Sequence, residues 1–192
     1  MILYLHGFKS SPASFKAQVL QRALEEQGLG TRWCCPQLPA SPAAAMRLCH
    51  DLIQQRPLAN PSQELIVIGS SLGGYYAHFL AEQWHCRAVV LNPAVHAPRD
   101  LKTQVGTHTM YHSNQPFIFL PEYVDELAQL QTAGPSQPER YFLLASRDDE
   151  VLNHQEMLDF YQGSRGLLLF GSDHGISDFE LYLAPILNFI ES

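Results

Sequence analysis

Short, wholly apolar runs alternate along the chain with longer stretches in which apolar side chains recur every three or four residues. Met1-Ile2-Leu3-Tyr4-Leu5, Leu65-Ile66-Val67-Ile68, Ala88 to Leu91, Tyr141-Phe142-Leu143-Leu144-Ala145 and Gly166-Leu167-Leu168-Leu169-Phe170 lack polar alternation. That is the pattern of strands covered on both faces. Trp33-Cys34-Cys35 is a shorter strand candidate. Between these runs, Phe15, Val19, Leu20, Ala23 and Leu24 recur at helical spacing and stop before Gly28, a residue suited to a left-handed helix cap. Pro42 to Gln55 reads as a helix with proline near its start, and Leu72 to Gln83 as another. The last helix, Asp178 to Ile190, carries Phe179, Leu183, Ile186, Leu187 and Ile190 on one side, with Pro185 as the expected kink. Strands that need cover on each face predict an α/β fold of three layers, a mostly parallel sheet between two layers of helices.

One stretch breaks this rhythm. Residues from about 96 to 134 contain Met110, Tyr111, Phe117, Ile118, Phe119, Leu120 and Tyr123 without a clear period. They follow the Ala88 to Leu91 strand, so a cap or lid excursion is expected there, within a single domain spanning residues 1–192. Phe117 and Phe119 are the candidate substrate-binding residues, although the same apolar side chains fit simple packing of the excursion onto the core.

Composition narrows the classes of partner. Hydrophobic residues make up 46% of the chain, enough for a sizeable core. The net charge is −7 with only 12 Lys and Arg and no basic run, which argues against a nucleic-acid surface. Cys34, Cys35, Cys49 and Cys86 lack C-x-x-C spacing, and an adjacent pair makes a poor disulfide, so reduced thiols are expected. Neither a leader-like segment nor an apolar run of membrane-spanning length is present, so the expectation is a cytoplasmic protein with no membrane span. His108 and His112 stand four apart without an H-E-x-x-H motif or a third ligand, so no metal is predicted. No cofactor is predicted either.

The chemistry concentrates in three places. Gly69-Ser70-Ser71-Leu72-Gly73 is a G-x-S-x-G match lying between an apolar run and a helical stretch. There a serine hydroxyl stands exposed on a tight strand-to-helix turn, and glycines on both sides make room for a strained backbone. Ser71 is therefore the candidate nucleophile. After the Tyr141 to Ala145 run comes Ser146-Arg147-Asp148-Asp149-Glu150-Val151, and after Gly166 to Phe170 comes Gly171-Ser172-Asp173-His174-Gly175. The order serine, acid, histidine is that of α/β-hydrolases, and every member follows a strand, where such sheets gather their functional groups. At the N-terminus, His6-Gly7-Phe8 follows the first strand. Its Phe8 N–H, with that of Leu72, forms a candidate oxyanion hole. His6 reads as a packing or hydrogen-bonding residue beneath the site, since a base on the first strand would break the hydrolase order.

Taken together, Tyr4-Leu5-His6-Gly7-Phe8, Ser10-Ser11-Pro12, Gly69 to Ala77, Leu91-Asn92-Pro93-Ala94, Asp149-Glu150-Val151-Leu152 and Asp173-His174-Gly175 resemble the YqiA-like family of small bacterial serine esterases. The resemblance spans nearly the whole chain. It implies an α/β-hydrolase with carboxylesterase activity on small-molecule acyl esters, and with acyl-CoA thioesters as further candidate substrates, while the first strand's already carrying the His-Gly-Phe turn predicts a shortened sheet. Position by position it assigns the nucleophile to Ser71, the acid to Asp149 and the base to His174. The acid loop departs from the family pattern in reading Arg147-Asp148-Asp149, where a small residue usually precedes the acid, so Asp148 stays open as an alternative. The function expected is carboxylester hydrolysis through an acyl-enzyme. Alternatives are acyl transfer or perhydrolysis on the same triad, and a non-catalytic binding module on a hydrolase scaffold.

Overall fold

The computed structural model describes residues 1–192. In chain order the elements are β1 (Ile2–Leu5), α1 (Phe15–Glu26), β2 (Trp33–Cys34), α2 (Pro42–Gln54), α3 (Pro61–Glu64), β3 (Ile66–Ser70), α4 (Leu72–Trp84) and β4 (Arg87–Leu91). There follow α5 (Ala97–Leu101), β5 (Gly106–Thr109), β6 (Pro116–Phe119), α6 (Glu122–Gln129), β7 (Tyr141–Ser146), α7 (His154–Phe160), β8 (Arg165–Leu169) and α8 (Leu183–Glu191). Six strands form one sheet in the order β2-β1-β3-β4-β7-β8, with every neighbouring pair parallel.

The apolar runs explain this layering. Along a strand, successive side chains point to opposite faces. Leu3, Leu5, Val67, Val90 and Leu143 therefore join α2, α4 and α7 residues such as Met46, Tyr76 and Met157 in one core. Ile2, Tyr4, Ile66, Ile68, Val89 and Leu91 meet α1 and α8 on the other face. Gly28 ends the α1 region at φ +73°, as its position after the helix suggested. No helix is long and apolar enough to cross a membrane.

Two readings of the pattern need correction. Gly166 to Phe170 looks like a strand covered on both faces, yet β8 is the sheet edge, with Arg165 to Leu167 and Phe170 exposed. The expected Asp178 to Ile190 helix is instead a 3-10 turn, Phe179–Tyr182, followed by α8. Pro185 is the cause: it has no N–H for the Leu181 carbonyl, and its ring would collide there. Restarting the helix at Leu183 puts the proline in a first turn, where no N–H is needed.

Residues 97–129 leave the sheet after β4. They form α5, a 3-10 turn (Lys102–Gln104), an antiparallel β5–β6 hairpin and α6. The excursion is anchored to the body: the Glu126 carboxylate accepts hydrogen bonds from Ser41 Oγ (2.6 Å) and the Ala43 N–H (2.9 Å) at the start of α2. An anion at a helix N-terminus is favourable there.

Candidate active site

At the end of β3 the chain turns into α4 within one residue, and Ser71 sits in that turn with φ 56° and ψ −121°. Such a conformation costs a non-glycine residue on the order of 1–3 kcal/mol and persists only where its surroundings over-determine it. They do so here. The Ser71 N–H donates to the Leu91 carbonyl (3.0 Å), and the Ser71 carbonyl accepts from Gly74 (2.9 Å) and Ala94 (3.0 Å). The flanking glycines are required by contact: a Cβ on Gly69 would lie 2.0 Å from the Gly73 oxygen, and one on Gly73 would lie 2.0 Å from the Leu5 oxygen.

His174 Nε2 lies 3.0 Å from Ser71 Oγ, and its Nδ1 lies 2.7 Å from Asp149 Oδ2. The acid's side chain is fully buried, while the imidazole keeps 19% exposure. Asp149 Oδ1 accepts from the Val151 and Leu152 N–H groups, both at 2.8 Å. A carboxylate with three donors at its oxygens is strongly held as an acceptor, so the imidazole proton sits on Nδ1 and Nε2 is free to accept from the serine hydroxyl. Asp148 points away, its Oδ2 accepting from the Gly171 N–H at 2.7 Å.

The β1–α1 turn passes directly over the serine, since a Cβ on Gly7 would meet Ser71 Cβ at 3.2 Å. The Phe8 N–H has no acceptor within the protein. Leu72 is the first residue of α4, so its N–H has no intrahelical partner either. Below this turn His6 is buried and accepts from the Leu38 N–H at Nε2 (3.1 Å), leaving Nδ1–H for the Gly7 carbonyl (3.1 Å). Burial holds its pKa below the usual histidine range.

Asn92, buried at the end of β4, carries no functional signal in the sequence beyond its place in the Leu91-Asn92-Pro93-Ala94 block. Its Nδ2 donates to Ser146 Oγ (3.0 Å), the His174 carbonyl (3.0 Å) and the Asp173 carbonyl (3.2 Å), and its Oδ1 accepts from the Ser146 N–H (2.7 Å). Its φ of 42° is one that asparagine tolerates better than most residues. One amide thus ties the histidine loop to β4 and to the strand before the acid. Asn92→Ala should lower kcat by about 10²-fold, the usual penalty of misplacing a reacting group by about 1 Å. It should also lower stability by about 1–3 kcal/mol through the orphaned Ser146 N–H. Measuring kcat on the folded fraction alongside Tm separates the effects: a lower Tm with unchanged kcat would make Asn92 purely structural.

Ser71, Leu72, Phe8 and His174 open into a cavity of about 620 Å³. Its further lining includes Lys9, Lys16, Leu101, Tyr111, Val151 and Leu152. Phe117 and Phe119 do not line it. Their rings pack edge-on against the Phe8 ring at 5.0 and 5.2 Å, and Phe119 is buried against Tyr123 as well. The residues of the excursion that do reach the cavity are Asp100, Leu101, Thr103, Gln104 and Tyr111. Tyr75 and Tyr76 are core residues, the former donating to the Leu127 carbonyl (2.8 Å). His108 packs on Phe8 and lies 2.6 Å from the Gln104 carbonyl through Nε2. No group of three His, Cys, Asp or Glu side chains is placed to hold a metal ion. All four cysteines are unpaired, and burial pushes Cys49 and Cys86 up to about 12.

A parallel sheet whose strand ends gather a serine on a strained elbow, a histidine and a buried acid defines the α/β-hydrolase class. The chain belongs to the family described as Uncharacterised protein family (UPF0227), whose model matches residues 1–191; this is the YqiA family that the sequence resembles. The fold is shared with solved structures of low identity. Est1E from Butyrivibrio proteoclasticus superposes with a TM-score of 0.66 at 12% identity, over 100% of this chain and 88% of its own. The esterase domain of a Rhodothermus marinus protein gives 0.64 at 18%, over 98% and 87%. The monoacylglycerol lipase of Paleococcus ferrophilus gives 0.63 at 13%, over 98% and 93%.

Proposed function

We propose that the chain is a serine carboxylesterase that hydrolyses short to medium acyl esters, thioesters included, through an acyl-enzyme. The observation that carries this reading is the continuous hydrogen-bond path from Ser71 Oγ through both imidazole nitrogens to the buried Asp149, at the floor of an open cavity. Ser71 attacks the carbonyl as His174 takes its proton, and Asp149 holds the ring in the accepting tautomer and stabilises its charged form. The Phe8 and Leu72 N–H groups receive the oxyanion, each worth roughly 3–4 kcal/mol of barrier. His174 then protonates the leaving alcohol or thiol, activates water in its place and releases the acid. Residues 96–134 act as the cap, contributing Leu101 and Tyr111 to the acyl-binding wall.

Kinetics on p-nitrophenyl esters of increasing acyl length test this. Turnover is expected to rise with length while CH₂ groups are buried and then to level off as the cavity fills. Phe119→Ala should reduce stability by about 3–5 kcal/mol and lower kcat/KM equally at every length, because the ring supports Phe8 and not the acyl chain. A loss confined to the longer esters would put Phe119 in the acyl pocket after all. Absence of turnover with every ester would remove the esterase reading.

A further inference from the structure

The chain contains three lysines in a protein of net charge −7, and their placement is not scattered. Lys9 and Lys16 both line the cavity above Ser71. The third, Lys102, stands in the 3-10 turn whose neighbours Leu101, Thr103 and Gln104 line the same cavity.

Contacts within the fold do not use up the hydrogen-bonding capacity of either cavity lysine. Lys9 has a left-handed backbone at φ 57°, pairs with no carboxylate, and rests its Nζ 4.8 Å from the Tyr111 ring centroid and 5.8 Å from that of Phe8. Lys16 occupies the first turn of α1, where the helix dipole disfavours a cation. Its ammonium donates one hydrogen bond to the Gly175 carbonyl and keeps two protons for another acceptor. Burial pushes it down to about 8, against the pull of Asp173 and Asp149. Asp100 is the one acid lining the cavity, and it is held at 2.8 Å by Arg99, which also pairs with Glu156. A left-handed lysine and a cation in a helix's first turn both oppose stability, and local features of that kind mark functional positions.

We infer that the cavity selects esters that carry an anionic group, a carboxylate or a phosphate, received by Lys9 and Lys16. This rests on the esterase reading and names its substrate class. A carboxylate on the acyl chain and a phosphate on the leaving group share this chemistry, and two pairs of esters separate them. The first pair is mono-p-nitrophenyl glutarate and p-nitrophenyl valerate, matched in acyl length. The second is the butyrate ester of a phosphorylated phenol and the butyrate ester of the same phenol without phosphate.

At least one anionic ester should exceed its neutral partner in kcat/KM by about tenfold, as expected for a charge-assisted contact in a partly closed site. Lys9→Met should bring that ratio close to unity. Lys16→Met should do the same while lowering both rates, since Gly175 beside His174 loses its donor. Added salt should narrow the gap in the wild type. Turnover of the neutral esters with no advantage for either anionic one would overturn the anion site and leave the esterase reading standing. If no ester is turned over, the esterase reading fails, and calorimetry of glutarate binding to Ser71→Ala decides the anion site alone. Binding weakened about tenfold by adding Lys9→Met sustains it, and no binding overturns it.

Discussion

Ser71→Ala is expected to abolish covalent labelling by a fluorophosphonate and to lower ester turnover by about 10⁶-fold. The size of the loss follows from cooperation: without the nucleophile, His174 and Asp149 have no proton to move, so their contributions vanish with it. What remains is the residual effect of the oxyanion donors and of binding. Fold loss cannot mimic this outcome. Alanine keeps the Cβ and hence the backbone strain at φ 56°, and the hydrogen bonds that hold the elbow run through the Ser71 backbone, not its hydroxyl. The Tm of the variant should therefore stay near that of the wild type. Labelling that persists in the folded variant would move the nucleophile elsewhere, with Ser70, which also borders the cavity, the first position to examine.

The parts of this site that could be read from sequence are those whose geometry is local. Gly69 and Gly73 are dictated by contacts within the elbow or with the adjacent β1, so strand, turn and helix announce themselves in five residues. His174 and the acid loop follow β8 and β7, and the direction of a parallel sheet brings such loops to one end. The unread parts depend on how separate elements face each other. Phe117 and Phe119 share one side of β6, and period two makes that evident. Whether that side looks into the cavity or onto Phe8 depends on how the hairpin docks, and it docks onto Phe8. The composition of β8 is that of a central strand, and only the sheet order exposes it as an edge. Lys16 gives no periodic signal, because its meaning comes from the meeting of α1 with the Gly175 loop, far away in sequence. Asn92 is silent for the same reason. Its four side-chain hydrogen bonds reach three residues, Ser146 on β7 and Asp173 and His174 on the histidine loop.

Asp148 and Asp149 are adjacent in sequence, but only Asp149 contacts His174, while Asp148 faces the Gly171 N–H. That favours Asp149 as the orienting acid, and a matched pair of substitutions tests the choice. In Asp149→Asn the amide oxygen is expected to keep the Val151 and Leu152 N–H groups, which the carboxylate now receives on Oδ1. The amide NH₂ then faces His174 Nδ1. Two donors cannot pair, so the imidazole adopts the tautomer protonated on Nε2, the nitrogen that has to accept from Ser71. The expected result is a fall in kcat of about 10⁴-fold with little change in Tm. Asp148→Asn changes far less. Its oxygen still accepts from Gly171, and no reacting group is in contact with it, so the loss should stay under about tenfold. Steady-state kinetics of both variants at one pH, with Tm measured for each, is sufficient. The opposite ranking at equal Tm would transfer the orienting role to Asp148 and require the acid loop to rearrange around His174.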